Sequence, residues 1–236
     1  MLQKSKISGV KILSDEWFQN RLAKFTSSEI FNLIGEGQAN YIRRKVGEEL
    51  TGKPAKGEFD TEGLRWGTFY EAEAINKFGL QHNLSFLIVQ QLVCDPIGRF
   101  GSTPDGLIVK RESIDKLEYE VETVEVKCPI TFDAYIRLFE CENAQDLKQV
   151  SKQYYWQVLD QMDNCGSLTA HFVVYHPDFK RGNMKTFEVK AMQCIETTKG
   201  KDYPVYNDMK LLREKKKQAV EKFEELRNKL MAIPAI

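Results

Sequence analysis

The chain has 236 residues, 42% of them hydrophobic and 11% aromatic, enough to bury one substantial core. Its 34 basic residues balance 34 acidic ones, so bulk charge announces no nucleic-acid partner, and any such site must rest on local positive patches and metal. No apolar run approaches the ~20 residues of a membrane helix, and the N-terminus MLQKSKISGVKILSDEW lacks the apolar core of a signal peptide.

The five cysteines (Cys94, Cys128, Cys141, Cys165, Cys194) show no Cys-x-x-Cys spacing. That argues against a zinc ribbon or a disulfide scaffold and fits a reducing cytoplasm.

In chain order, Ser14-Asp15-Glu16 caps a helix that carries Trp17, Phe18, Leu22 and Phe25. Thr26-Ser27-Ser28-Glu29 restarts a helix ending at Gly35. Residues 40 to 50 read as helical with a basic cluster at Arg43, Arg44 and Lys45, and TGKPAKGEFD follows as a loop. From Thr61 a long helix carries Leu64, Tyr70, Ala74, Ile75 and Phe78 on one stripe, interrupted by Glu71 and Glu73.

Leu84 to Val93 reads as one strand and Gly98 to Ser102 as a short second one. Leu107 to Val109 and Tyr119 to Lys127 read as hairpin partners around RESIDKLE, then Thr131 to Glu140 and Leu147 to Met162 as helices. Strands follow at Leu168 to Tyr175 and Lys185 to Cys194, and an amphipathic helix from Asn207 to Met231 closes the chain. That order predicts an α/β (α+β) fold, with a central mixed β-sheet flanked by helices. A single domain spans 1–236, with its core over about 14–195 and the closing helix over about 205–231. Met209, Leu212, Ala219, Phe223, Leu226 and Leu230 keep a 3-4 spacing broken by Lys216, which predicts packing on the core.

The chemistry concentrates between Gly101 and Pro129. Residues two apart on a strand share a face, so Glu125 and Lys127 project together and Val126 points away. Thr103-Pro104-Asp105-Gly106 fits a type I turn. Alone, that aspartate is ordinary turn chemistry, and a Glu-x-Lys pair is ordinarily an exposed ion pair worth ~0.5 kcal/mol. Together, two carboxylates from adjoining strands, with the Val126 carbonyl, suit a hard divalent cation: magnesium first, manganese as substitute. Lys127 beside it can orient or deprotonate a water and balance charge on a phosphorane.

Glu71 sits among aromatic residues on the stripe that should face the sheet, where a third carboxylate facing the metal would explain it. Glu73, ~200° away, is predicted to be exposed. Gln157, among large apolar neighbours, must find hydrogen-bond partners. A backbone carbonyl, a water, a metal ligand or a phosphate would each serve. Arg21, Thr26 and Ser28 flank a predicted helix start, and a terminal phosphate would suit them. A plain N-cap with Arg21 in solvent is the simpler local reading. The three histidines do not cluster, and no Ser-His-Asp order, Walker loop or dinucleotide glycine motif occurs.

Five segments stand in the order of a known family: Arg21 to Ser28, Trp66-Gly67 to Glu71, Ser102 to Leu107, Glu125 to Pro129, and Tyr154 to Gln157-Val158. The chain resembles the lambda exonuclease family of phage-type alkaline exonucleases and its YqaJ-type viral recombinase domain, within the PD-(D/E)XK nuclease superfamily. The similarity runs from about Trp17 to about Cys194.

The resemblance implies a restriction-endonuclease-like core. It also implies processive, Mg2+-dependent digestion of one strand of linear double-stranded DNA from the 5′ end. Mononucleotides would be released, leaving a 3′ overhang for a single-strand annealing protein in recombination. By matching position, Asp105 and Glu125 become metal ligands and Lys127 the catalytic lysine. Glu71 and Gln157 complete the shell, and Arg21 and Ser28 match a 5′-phosphate pocket. A ring-shaped homotrimer is a further implication. Neither residues 41–62 nor the C-terminal helix enters the match. The competing readings are a structure- or sequence-specific endonuclease on the same core, and a non-catalytic DNA-binding scaffold.

Overall fold

Strand pairing sorts the β-branched runs into separate sheets. The computed structural model describes residues 6–8, 14–55, 61–84, 87–89, 92–95, 97–113, 118–198 and 200–234. The first half of the chain forms β1 (Lys6–Ser8), α1 (Asp15–Arg21), β2 (Phe25–Thr26), a 3-10 turn (Ser27–Glu29), α2 (Phe31–Ile34), α3 (Gln38–Thr51) and α4 (Glu62–Gln81). Strands β3 (Leu87–Val89), β4 (Leu92–Cys94), β5 (Phe100–Ser102), β6 (Gly106–Ser113) and β7 (Glu118–Lys127) follow. After them come α5 (Phe132–Phe139), α6 (Ala144–Val150), α7 (Lys152–Cys165), β8 (Thr169–Tyr175) and β9 (Met184–Lys190). The hairpin β10 (Ile195–Thr197) and β11 (Gly200–Asp202) leads into α8 (Pro204–Met231).

The main sheet has the order β3-β6-β7-β8-β9. Its β7–β8 pair is parallel and the others are antiparallel, which makes it the mixed sheet the sequence predicts. A smaller sheet, β1-β4-β5-β2, packs against α7 through β4 and β5. Side-chain alternation sends each face of the main sheet to a different core. Val124 and Val126 of β7, with Val173 and Tyr175 of β8, join Ala74, Ile75 and Phe78 of α4. Ala170, Phe172 and Val174 of β8 join the larger core with Tyr155, Val158, Leu159 and Met162 of α7. Glu125 and Lys127 therefore point toward α7, away from Val126.

Several expected boundaries move, each for a local reason. Ser14 does cap α1, its Oγ accepting from the Trp17 N–H at 3.2 Å. The helix ends at Arg21 and not at Phe25, because Ala23 takes φ 60° and its N–H donates to the Glu48 carboxylate. Phe25 and Thr26 then pair in parallel with Phe100 and Gly101. The helix expected from Thr26 becomes the 3-10 turn and the four-residue α2, without a side-chain cap.

The run Leu84 to Val93 divides between two sheets, β3 pairing with β6 and β4 with β5. The helix expected over Leu147 to Met162 breaks at Ser151. That residue is extended, and its Oγ caps α7 by accepting from the Tyr154 N–H at 3.3 Å. Leu64, expected on the buried stripe of α4, is 50% exposed. Residues 56–60 of the TGKPAKGEFD loop and 114–117 of RESIDKLE lie outside the described residues.

Helix α8 buries Met209, Leu212, Ala219 and Phe223 in the same core as α7 and β8, whereas Leu230 is exposed. At Gly106, at the start of β6, helix and strands leave no room for a side chain. A Cβ there would meet Leu87 Cδ1 at 2.8 Å, Ile75 Cδ1 at 3.2 Å and Val124 Cβ at 3.3 Å. The bare backbone lets α4 and β3 close on the strand that begins one residue after Asp105.

Candidate active site

Asp105 is a bend leading straight into β6, in place of the reverse turn expected at Thr103–Gly106. Its Oδ2 accepts from the Val126 N–H at 2.6 Å, tying the start of β6 to the end of β7. Glu125 is only 2% exposed, and both its oxygens are engaged. Oε1 accepts from the Lys127 ammonium and from Gln157 Nε2, and Oε2 accepts from Gln161 Nε2. Gln157 and Gln161 are buried on α7. They are four residues apart and so share the helix face turned to β7. Among the alternatives open to Gln157, the structure assigns it the Glu125 carboxylate.

A cleft of about 410 Å³ opens over this point, lined among others by Gly67 and Glu71 of α4, Val126 and Lys127 of β7, Thr131 and Tyr154. Glu125 is not among the residues that line it, but Lys127, which does, donates to the Glu125 carboxylate. The Tyr154 ring stands 4.8 Å from Lys127 Nζ, a cation–π contact that helps to fix the ammonium. Burial would lower the Lys127 pKa, but the Glu125 and Asp105 carboxylates outweigh it and hold the group above the ordinary lysine value. Glu73 is exposed, as expected, and bonds Lys77 and the Tyr175 hydroxyl.

The Asp105 carboxyl is pushed well above the usual range, first by burial, then by the charges of Glu125 and Glu71; Lys127 offsets this in part. Glu71 also shares a hydrogen bond with Asp105. Glu125 and Glu71 thus both bear on Asp105 as like charges, against the single ammonium of Lys127, an imbalance that a cation would relieve. No group of three or more His, Cys, Asp or Glu side chains is drawn together tightly enough to hold a metal among the described residues. By type and charge the oxygen donors suit a hard divalent cation, but among the described residues they do not close into a ligand set, Glu125 being held by the two amides and Lys127.

Arg21 reaches the same neighbourhood from α1. Its guanidinium donates to Thr103 Oγ1 at 3.2 Å, two residues before Asp105, and stacks 4.2 Å over the Trp17 ring. Thr26, at the end of β2, and Ser28, in the 3-10 turn that follows, have their hydroxyl oxygens 3.5 Å apart. Thr26 is buried and donates to Glu29, whose carboxylate also pairs with Arg44 and Lys45. Ser28 is exposed. Ser27 caps nothing and donates to Asp160 of α7 at 2.6 Å.

Sequence reading missed Gln161, Tyr154 and Thr103 as partners of the site. The i, i+4 spacing from Gln157 marks Gln161. Nothing in the sequence marks Thr103 beyond its place before Pro104-Asp105.

The sheet, its two helical layers and this charged strand end are those of a chain whose family is a nuclease family. Residues 16–167 match the model of the YqaJ-like viral recombinase domain. The chain belongs to that family. Its structure is similar to that of LHK-Exo, an alkaline exonuclease from Laribacter hongkongensis (20% identity, TM-score 0.65, covering 92% of this chain and 98% of that one). The same holds for that enzyme in complex with dAMP. A phage related exonuclease from Haemophilus somnus 129PT is also similar (13% identity, TM-score 0.60, covering 90% and 99%). At these identities the likeness is one of fold. A search of curated proteins finds no match.

Proposed function

We propose that this nuclease is a divalent-cation-dependent exonuclease that digests one strand of linear duplex DNA from its 5′ end. It would release 5′-mononucleotides and leave a 3′ overhang for an annealing protein. The observation that carries this reading is the convergence of Asp105, Glu125, Lys127 and Gln157 at one strand end, in a member of this family. The two similar enzymes named above are exonucleases, and one of them holds the mononucleotide dAMP. A homotrimeric ring around DNA is part of the same proposal.

Asp105, Glu125, the Val126 carbonyl and Glu71 would hold the cation, magnesium or manganese. When bound, such an ion neutralises phosphate charge and acidifies a water. The chain's own residues supply the rest. Gln157 and Gln161 fix the Glu125 carboxylate so that it cannot swing away. Lys127, on the same face as Glu125 and braced by Tyr154, directs a proton donor at the scissile phosphate and orients the attacking water. Arg21 beside Thr103, with Ser28 and Thr26 on the neighbouring turn, would hold the terminal phosphate near Asp105.

Three substrates test the proposal: 5′-phosphorylated linear duplex, 5′-hydroxyl linear duplex and closed circular duplex, each with Mg2+. Mononucleotides should appear from the first, more slowly from the second, and not from the third. Cutting of the circle would move the protein to the endonucleases, and no cutting of any substrate would make it a scaffold. In the same assay, Arg21→Ala should reduce the preference for a 5′-phosphate about tenfold or more, the scale of one lost charge-assisted contact. An unchanged ratio would remove Arg21 from the phosphate site.

A further inference from the structure

Helix α7 carries a second buried polar face, which the chemistry above does not use. Asp160, fully buried, lies on the side of the helix next to Gln157 and Gln161. Its Oδ2 accepts from Ser27 Oγ at 2.6 Å and from Asn164 Nδ2 at 3.0 Å. Its Oδ1 accepts from Lys216 Nζ at 3.0 Å. Lys216 is the residue that breaks the apolar spacing of α8, and it is 7% exposed. Its other two bonds go to Asp163 Oδ2 at 2.8 Å and Asn164 Oδ1 at 2.7 Å, and Arg213 covers the remaining Asp163 oxygen at 2.6 Å. The family model ends at residue 167, so Lys216 lies beyond it.

A buried ionic cluster is no more stabilising than apolar side chains of the same volume, so cohesion alone does not account for this one. What it adds is direction. Three ammonium protons on three acceptors of α7 tie the rotation of that helix to α8, in addition to its apolar packing, and Gln157 and Gln161 on the same helix face Glu125. The Asp160 carboxylate also holds Ser27, and with it the turn that bears Ser28 and follows Thr26. We propose that Lys216 and Asp160 form a positioning pair that couples the C-terminal helix to the catalytic strand and to the Ser27–Glu29 turn. Its consequence for cleavage rests on the exonuclease reading above; its structural half does not.

Two measurements on the full chain separate these halves. In the ligand-free protein, the Gln157 and Gln161 side-chain amide protons should exchange slowly by 15N–1H NMR. Lys216→Met should accelerate their exchange at least tenfold, leaving unchanged the side-chain amide of Asn143, whose Oδ1 caps α6 and whose Nδ2 donates to Asp146. On 5′-phosphorylated duplex, the same variant should lose at least tenfold in kcat per folded molecule with KM within about threefold, and its preference for a 5′-phosphate should shrink. If Lys216→Met does not fold, the pair Asp160→Asn with Lys216→Met, which removes both charges together, is read in the same way. Unchanged amide exchange, or a lower unfolding midpoint with wild-type kcat, overturns the proposal. A wild-type protein that releases no nucleotide would sink the exonuclease reading, while the amide exchange would still decide the coupling.

Discussion

Lys127→Ala is expected to slow nucleotide release about 10³-fold, the combined scale of a lost phosphate-stabilising donor and a lost proton-transfer partner. Duplex binding should stay within a few-fold of wild type, because affinity for DNA is spread over many phosphate contacts. The variant is expected to fold, since the Gln157 and Gln161 amides still engage both Glu125 oxygens after the ammonium is gone. Glu125 is therefore left without its countercharge but not without hydrogen bonds, which limits the cost of the truncation. Single-turnover release of labelled nucleotide, with a gel-shift titration in chelator, reads both halves. A variant that cuts at the wild-type rate would take Lys127 out of the chemistry.

How legible was this site beforehand? Its strand half was, because period-2 alternation fixes which side chains share a face whatever the surroundings. Glu125 and Lys127 follow from that rule alone, and the register of Glu125 against Phe172 leaves them turned to α7. The helical half was legible by type but not by partner. A buried glutamine must be bonded, yet only tertiary packing could choose Glu125 for Gln157 and bring Gln161 to the other oxygen.

The boundaries that moved have the same cause. Leu84 to Val93 is apolar throughout, so no local pattern tells where one sheet hands over to another. Ser151 reads as an ordinary helix residue until its hydroxyl is seen capping α7. Lys216 looked like a flaw in an amphipathic stripe because its acceptors lie more than 50 residues away on another helix.

Asp105→Asn should yield a protein that is more stable without cation and close to inactive. The raised Asp105 pKa means that the folded chain holds this proton more tightly than the unfolded one does. That contribution to stability is complete below the unfolded carboxyl value of about 3.9 and is lost as pH rises through the folded value. Above the folded value, the ionised group works against the fold. Asparagine keeps an oxygen for the Val126 N–H, can donate to Glu71, and adds no charge beside Glu125.

A relief of about 1 kcal/mol corresponds to a rise of roughly 2–4 °C in Tm for a chain of this size. The gain over wild type should disappear as pH falls toward 4, where aspartate is neutral as well. The cation increment runs the other way. At a hundred times its Kd, a ligand bound only by the folded state adds about 2.7 kcal/mol, and a site short of one anionic oxygen should lose most of that. Activity should fall about 10³-fold with the loss of that charge. Calorimetry in chelator and in Mg2+ distinguishes the cases. A variant that melts below wild type in chelator, or keeps the full cation increment, would show that Asp105 is a strand fastener and not part of a cation site.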